Sequence, residues 1–274
     1  SMEAGRSVEL SDGTRMPLLG FGTWKVLCGA VEAAIAAGYR HIDTARLYGN
    51  EAHVGEALRS KMRQGVVRRR DMFVVGKVGG ADIPTCLNKS LKDLQLDYLD
   101  LYLVHFPVGL KVEHNKPQTY QSDNLHSGME ALKASGKVRS IGVSNFNRLQ
   151  LERLVALCRE PPAVNQVLHV QPIRTAARHC TMPFVSCFRS RGDADPEKLL
   201  EDPVVADIAQ KHRRSPAQIL LRYHVQQSVA VIPNSDNPHR IMQNTKIFDF
   251  SLTDEDTRAL RGLDRGRRTF TLEE

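Results

Sequence analysis

Short runs of apolar residues alternate with longer periodic stretches along most of the chain. The runs have the length of buried strands, and the longer stretches repeat apolar residues every three or four positions, as amphipathic helices do. The pattern therefore predicts alternating strands and helices. The predicted strands are 18–22, 39–43, 72–76, 99–104, 138–143, 163–167, 184–187 and 229–232. The predicted helices are 29–37, 51–62, 87–94, 124–135, 149–158, 203–212, 215–226 and 239–245.

Strands separated by helices of this length predict βαβ crossovers and a parallel sheet. Eight such units are typical of one (β/α)8 TIM barrel, so we predict an α/β fold with a single domain over residues 1–274. A short N-terminal β-hairpin is expected to turn at Asp12 and Gly13. The rival is a doubly wound open sheet. It usually carries GxGxxG after its first strand, and the stretch from Gly20 to Trp24 does not complete that motif.

The net charge of +7 does not indicate a nucleic-acid partner. Nucleic-acid-binding surfaces concentrate basic residues on one face, whereas Lys and Arg are dispersed along this chain. No apolar run reaches the roughly 18 residues that a membrane span needs, and the first residues lack the apolar core of a signal peptide. We therefore expect neither nucleic-acid nor membrane partners.

The cysteines indicate a reducing compartment. The five are scattered and include no CxxC pair, which argues against a zinc ribbon or a disulfide framework. A cytoplasmic location fits this pattern. No heptad repeat predicts a coiled-coil partner, so we expect a monomer.

Four polar residues lie at or just after the ends of predicted strands. Asp43 ends one strand, Tyr48 lies in the loop that follows it, and Lys77 and His105 follow the next two strands. Loops at the carboxyl ends of barrel strands build the active site, so the four are expected at one rim. A single such residue is more often just the first solvated position of a loop, but four together favour a site.

Asp43, Tyr48 and Lys77 together have the chemistry of an acid catalyst. A tyrosine phenol has an ordinary pKa near 10, and a neighbouring ammonium favours the phenolate and so lowers that value. Asp43 would hold Lys77 charged, and Tyr48 would donate a proton to a carbonyl oxygen. His105 would orient that carbonyl or assist the proton transfer. The ten histidines show no HExxH spacing, so no metal is expected.

Specific motifs occur along nearly the whole chain: GFGTW, GYRHIDTARLYGNE, FVVGK, LDYLDLYLVHFP, KVRSIGVSNF, AVNQV, SPAQILLR and VIPNS. On these segments the chain, from about Val8 to Arg268, resembles the aldo-keto reductase superfamily. The resemblance implies NAD(P)H-dependent reduction of aldehydes and ketones to alcohols, with hydride from the nicotinamide. It also implies a catalytic tetrad, which in this chain is Asp43, Tyr48, Lys77 and His105.

The resemblance further implies where small molecules bind. NADP(H) is the expected cofactor, with NAD(H) as an alternative. The residues matched to the cofactor are Thr44, Ser144, Asn145, Gln166, Phe188, Asn234, Ser235, Arg240 and Asn244. Those matched to the carbonyl substrate are Trp24, Tyr48, His105 and Phe106.

Several positions depart from the family pattern. Phe188 stands where a tyrosine usually stacks on the nicotinamide, and Cys187 takes its place if the alignment shifts by one. The whole stretch 168–192 matches poorly. Asn234 replaces a frequent lysine and Asp236 follows closely, so we expect a reduced preference for NADPH over NADH. Either Asp236 repels the 2′-phosphate or, if it faces solvent, only the missing lysine matters.

Two other functions are compatible with the fold class. The first is that of a catalytically weak aldo-keto-reductase-like protein with a binding or structural role, since a fold does not fix an activity. Retention of all four tetrad residues argues against it. A metal-dependent barrel hydrolase is disfavoured by the lack of clustered His and Asp at strand ends. The irregular composition of residues 108–123 predicts a loop, and substrate specificity is expected there.

Overall fold

The computed structural model describes residues 6–78, 82–113, 116–167, 184–186 and 199–263. The strands are β1 (Ser7–Glu9), β2 (Arg15–Pro17), β3 (Phe21–Gly22), β4 (His41–Asp43), β5 (Phe73–Val78), β6 (Leu99–Val104), β7 (Val108–Glu113), β8 (Lys116–Gln121), β9 (Val138–Ser144), β10 (Asn165–Gln166), β11 (Phe184–Ser186) and β12 (Ala230–Ile232). The α-helices are α1 (Cys28–Ala36), α2 (Glu51–Arg63), α3 (Ile83–Leu94), α4 (Ser122–Ala134), α5 (Arg148–Leu157), α6 (Pro203–His212), α7 (Pro216–Gln226), α8 (Pro238–Thr245) and α9 (Asp254–Arg261).

The parallel strands follow the order of a (β/α)8 barrel, which confirms the predicted fold class. Six of them form one sheet in the order β10-β9-β6-β5-β4-β3, and β11 pairs in parallel with β12. A parallel bridge between Leu19 and Val231 joins the β3 edge to β12, with Val231 N donating to Leu18 O at 2.7 Å. Helices separate most of these strands along the chain, as the apolar pattern predicts.

The predicted N-terminal hairpin is present and covers the amino-terminal end of the barrel strands. Strands β1 and β2 are antiparallel, and Gly13 adopts a φ of 82° in the turn, where glycine carries no steric penalty. Ser140, near the start of β9, lies 2.7 Å from Asp12 Oδ2 and 2.8 Å from Thr14 Oγ1. These contacts leave the opposite, carboxyl-terminal end of the strands open for a site.

The central strands explain why the sequence shows continuous apolar runs. Strands β5 and β6 are buried along their whole length, because a barrel strand packs on helices outside and on other strands inside. Lys77 is the one charged residue of β5, and its side chain is fully buried like those around it. A buried charge is costly unless it is paired and hydrogen-bonded, so this lysine requires partners.

Two elements differ from expectation. The prediction of an irregular loop over 108–123 was wrong: β7 and β8 pair as an antiparallel hairpin from Val108 opposite Gln121 to Glu113 opposite Lys116. Two strands can pair through their backbones without alternating apolar residues, so the composition of this segment did not indicate a hairpin. Helix α9 was not predicted because its residues are mostly polar. Its start is fixed by a capping box between Thr253 and Asp256.

None of the helices in the described ranges is long and apolar enough to cross a bilayer.

Gly55 sets how closely α2 packs on α3, and its replacement tests that packing. A Cβ at Gly55 would lie 2.5 Å from Asp93 O and 2.7 Å from Leu94 Cα. We expect Gly55→Ala to lower the free energy of unfolding by about 1–3 kcal/mol, since overpacking against backbone forces the helices apart. Gly29→Ala in α1 is the matched control, because nothing lies within 4 Å of its added Cβ. Urea unfolding that shows equal stability for both variants would contradict this packing.

Candidate active site

The predicted polar residues meet at the carboxyl-terminal rim of the barrel. Asp43 ends β4 opposite Val75, Lys77 lies near the end of β5, and His105 follows β6 directly. Ser144 and Gln166 end β9 and β10 and lie opposite each other. Parallel pairing brings these strand ends to the same edge, which is why residues far apart in sequence share one site.

Lys77 is the centre of a buried polar contact set. Its Nζ donates to Asp43 Oδ1 at 2.5 Å, to the Thr44 carbonyl at 3.0 Å and to the Tyr48 hydroxyl at 3.3 Å. Lys77 and Asp43 are both almost completely shielded from solvent. The predicted Asp43–Lys77 ion pair is therefore present, and Tyr48 contacts the same ammonium.

The lysine stays charged despite its burial. Desolvation lowers the pKa of Lys77, but the Asp43 charge, followed by Tyr48 and the hydrogen bonds to both, raises it above its ordinary value. The second oxygen of Asp43 is also bound, since Gln166 Nε2 donates to Asp43 Oδ2 at 2.8 Å. The carboxylate is thus held from two sides, which fixes the ammonium beneath Tyr48.

His105 is a neutral imidazole. Burial, reinforced by the nearby Lys77 ammonium, lowers the pKa of His105 to about 3. Its ring stacks on Phe106 at a centroid distance of 4.5 Å and meets the Tyr48 ring edge-on at 5.7 Å. Its buried Nδ1 has no hydrogen-bond partner within the described part of the chain. A neutral imidazole can donate or accept one hydrogen bond at each nitrogen, depending on its tautomer.

Two residues that the sequence analysis did not single out fix the Tyr48 segment. Tyr48 lies in a short 3₁₀ helix, Arg46–Tyr48, which Gly49 ends at a φ of 70°. Arg46 donates to Asp93 Oδ2 at 2.6 Å and to Glu51 Oε2 at 3.2 Å. Asn50 donates to Thr23 O at 2.7 Å. The available signal was that Arg46 and Asn50 are polar and lie two positions before and after Tyr48.

A second group of polar residues adjoins the Asp43 carboxylate through Gln166. Ser144 Oγ donates to the Gln166 carbonyl at 2.8 Å, and Asn145 Nδ2 donates to the His105 carbonyl at 3.0 Å. The hydroxyl of Thr44 is buried and has no hydrogen-bond partner among the described residues. An unpaired buried hydroxyl is costly, so this rim fits a polar ligand such as a carboxamide, which both donates and accepts hydrogen bonds.

A cleft of about 640 Å³ opens between the end of β12 and the start of α8. Asn237 caps α8 by accepting from the backbone of His239 and Arg240. The cation of Arg240 and the exposed amino-terminal turn of α8 fit an anionic group. The sequence-predicted residues that line the cleft are Asn234, Ser235, Asp236, Arg240 and Asn244.

The sequence left two alternatives for Asp236: its carboxylate repels the 2′-phosphate, or it faces solvent. The structure matches neither of them in full. The Asp236 side chain is exposed, yet Leu27 N donates to its Oδ1 at 3.4 Å, and it lines the cleft with Arg240. The carboxylate is therefore tied to the loop after β3 and does not simply face solvent. Asn234 is tied to the same loop, since its Nδ2 donates to Trp24 O at 3.1 Å.

The candidate substrate residues also lie at this rim. Trp24 follows β3 and is half-buried, and Phe106 follows His105 with a similar exposure. Phe188 and its alternative Cys187 lie outside the described residues, so their expected stacking role is not placed. In the described ranges, no three His, Cys, Asp or Glu side chains are grouped so as to hold a metal ion.

Comparison with known proteins agrees with this arrangement. Residues 19–179 and 174–265 match the model of the aldo/keto reductase family. Mouse "Aldo-keto reductase family 1 member A1" is 40% identical over 296 residues, covering 96% of this chain and 90% of that protein. The macaque (Macaca fuscata fuscata) "Aldo-keto reductase family 1 member C1" is 40% identical over 303 residues, covering 97% of this chain and 94% of that protein.

A solved structure shows the same fold. The aldose reductase of Schistosoma japonicum superposes with a TM-score of 0.87 at 32% sequence identity, over 97% of this chain and 94% of that one. Together with the family model and the relatives at 40% identity, this similarity extends over almost the whole chain. The chain belongs to the aldo/keto reductase family and is an oxidoreductase of the carbonyl-reducing type.

Proposed function

We propose that this protein reduces aldehydes and ketones to alcohols with NADPH, using Tyr48 as the proton donor. The observation that carries the proposal is the continuous Asp43–Lys77–Tyr48 contact set beside His105. When bound, the nicotinamide would supply a hydride to the carbonyl carbon. The residues described below bind the reactants and move the proton.

Tyr48 would donate its phenolic proton to the carbonyl oxygen as the carbon accepts the hydride. The O–H bond of Tyr48 breaks, an O–H bond forms on the alcohol, and a phenolate is left at Tyr48. Lys77 stabilises that phenolate, because its fully buried ammonium lies 3.3 Å from the oxygen. Solvent then returns a proton to Tyr48.

The structure favours one of the two roles expected for His105. With a pKa lowered to about 3, the imidazole carries no extra proton to give near neutral pH. His105 would therefore orient the substrate carbonyl by hydrogen bonding beside Tyr48, while Tyr48 alone acts as the general acid. Trp24 and Phe106 would form the walls of the substrate pocket.

The cofactor would be held at both ends of the rim. Ser144, Asn145, Gln166 and Thr44 are proposed for the nicotinamide carboxamide, on the basis of their buried polar atoms. Arg240, Ser235, Asn234 and Asn244 are proposed for the adenosine end and its 2′-phosphate, because they line the cleft at α8. A guanidinium can bind a phosphate through two parallel hydrogen bonds.

Removing the Arg240 cation tests the choice of NADPH. We expect Arg240→Met to raise the dissociation constant of NADPH roughly 10- to 100-fold, since a hydrogen bond to a charged group is lost. The constant for NADH is expected to stay within about twofold, because NADH lacks the 2′-phosphate. Arg63→Met, on an exposed position of α2, controls for the general loss of a positive charge. Fluorescence titration that shows equal losses for both cofactors would place the phosphate elsewhere.

Activity itself is tested with purified protein, NADPH and a panel of aldehydes and ketones. We expect oxidation of NADPH that depends on the carbonyl compound and produces the matching alcohol. Tight NADPH binding with no oxidation by any carbonyl would instead support the binding or structural role. The panel includes sugars, aromatic aldehydes, ketosteroids and dicarbonyls.

We further propose a cytoplasmic monomer. The support is chemical: Cys28, Cys86 and Cys158 are free thiols, which fits a reducing compartment, and the sequence has no heptad repeat. Light scattering of the purified protein measures its mass. A mass of twice the 30.7 kDa of one chain would contradict the monomer.

A further inference from the structure

The loop after β3 lies between the two halves of the proposed site. We call residues 23–27 the Trp24 loop, because they include Trp24, which is the chain's only tryptophan. Lys25 within it has a φ of 58°, a conformation that is unfavourable for a residue other than glycine. A loop in such a conformation persists when contacts from outside hold it.

One side of the Trp24 loop is fixed to the segment that carries Tyr48. Asn50, two residues after Tyr48, donates from Nδ2 to Thr23 O at 2.7 Å and to Val26 O at 3.2 Å. Thr23 also donates from its backbone N and its Oγ1 to Asp43 O, both at 3.0 Å. These bonds connect the loop directly to the proton-transfer residues.

The other side of the loop is fixed to the cleft at α8. Asn234 Nδ2 donates to Trp24 O at 3.1 Å, and Asp236 Oδ1 accepts from Leu27 N at 3.4 Å. Val26, in the middle of the loop, lines the same cleft as Asn234 and Asp236. Asn234 and Trp24 are 210 residues apart in sequence, so their hydrogen bond is a long-range tertiary contact.

We propose that Asn234 is a positioning residue that fixes Trp24 for substrate binding, with Asp236 as a second, weaker anchor. Asn234 and Asp236, the clasp, connect the proposed adenosine cleft to a wall of the proposed substrate pocket. The part of this inference that concerns substrate rests on the proposed function. The clasp also bears on cofactor choice: Asn234→Lys adds a cation but removes the Trp24 bond, so that variant alters both ends of the site.

The single tryptophan gives a direct readout of the clasp in the protein without cofactor. We expect Asn234→Ala to raise the rate constant for acrylamide quenching of Trp24 fluorescence about twofold or more, because the loss of a hydrogen bond loosens the loop. Ser235→Ala is the matched control: Ser235 lines the cleft but its hydroxyl contacts Asn237 N, not the loop. It is expected to leave Trp24 quenching unchanged.

Steady-state kinetics and cofactor titration then test the coupling to substrate. Asn234→Ala is expected to raise the KM of a good aldehyde substrate about three- to tenfold while NADPH binding changes less. Ser235→Ala is expected to weaken NADPH binding more than it changes the KM of the aldehyde. Asp236→Asn, which keeps an acceptor oxygen, is expected to retain wild-type quenching, whereas Asp236→Ala increases it slightly. Urea unfolding checks that every variant is folded.

Unchanged Trp24 quenching in folded Asn234→Ala would overturn the clasp. Altered quenching with an unchanged KM would overturn its link to the substrate pocket. These outcomes are separable from a failure of the proposed function: if the wild-type protein reduces no carbonyl compound, the quenching comparison still decides whether Asn234 positions Trp24.

Discussion

Replacing Tyr48 with phenylalanine is expected to lower the turnover number for carbonyl reduction by about 10²–10⁴-fold, the usual contribution of general acid catalysis. The change removes the hydroxyl that lies 3.3 Å from Lys77 Nζ and leaves the ring that meets His105 edge-on. Steady-state rates measure the loss. Fluorescence titration is expected to give nearly wild-type NADPH affinity, because the ring and the pocket are retained.

Tyr98→Phe is the control for this experiment. Tyr98 precedes β6 at the amino-terminal end of the barrel, where its ring packs between Arg69 and Arg139. Removal of its hydroxyl is expected to leave turnover unchanged. Wild-type turnover in Tyr48→Phe would remove Tyr48 from the mechanism, and an equal loss in both variants would indicate a general effect of losing a phenol.

Replacing Lys77 with methionine is expected to lower turnover by at least about 100-fold, because the charge that stabilises the Tyr48 phenolate is lost. Without the ammonium the phenol is a weaker acid. The pH at which reduction slows, as the proton donor loses its proton, is therefore expected to move upward. Asp43→Asn is expected to do the same less severely, because burial lowers the pKa of Lys77 once the Asp43 carboxylate is gone and part of the ammonium charge is lost. A pH–rate profile for each variant is the measurement.

Stability must be separated from catalysis in these variants. Lys77→Met leaves the Asp43 carboxylate buried without its cation, which costs about 3–5 kcal/mol of unfolding free energy. The double variant Lys77→Met with Asp43→Asn removes both charges, so it is expected to recover much of that stability while its turnover stays low. Wild-type pH–rate profiles in both single variants would contradict the proposed coupling.

The sequence predicted most of the barrel because its strands are buried on both faces. Strands β5 and β6 are apolar except for Gly76, Lys77 and Asp100, so even a simple pattern locates them. The same burial made Asp43, Lys77 and His105 conspicuous: polar residues that end apolar strands must pair or face a site. Their positions followed from the pattern and their acid–base roles from the residue types, and the family resemblance matched them to a catalytic tetrad.

The side-chain contacts could not be predicted in the same way. Asn234 binds the Trp24 carbonyl across 210 positions, and Gln166 reaches Asp43 across 123, so neither contact has a local signal. Position 166 was matched to the cofactor by resemblance, yet its amide nitrogen is hydrogen-bonded to the Asp43 carboxylate. The β7–β8 hairpin was missed for a related reason, because backbone pairing depends on register more than on composition.

The most direct test of the central claim follows the transferred hydride with deuterium. Purified protein is supplied with an aldehyde and NADPH that carries deuterium in place of the transferred hydride, and the alcohol is analysed by mass spectrometry and NMR. We predict one deuterium on the carbinol carbon of every product molecule, and with Tyr48→Phe the same label at a much lower rate. Product alcohol whose carbinol carbon takes its new hydrogen from water, or no alcohol at all while NADPH is bound, would contradict the account.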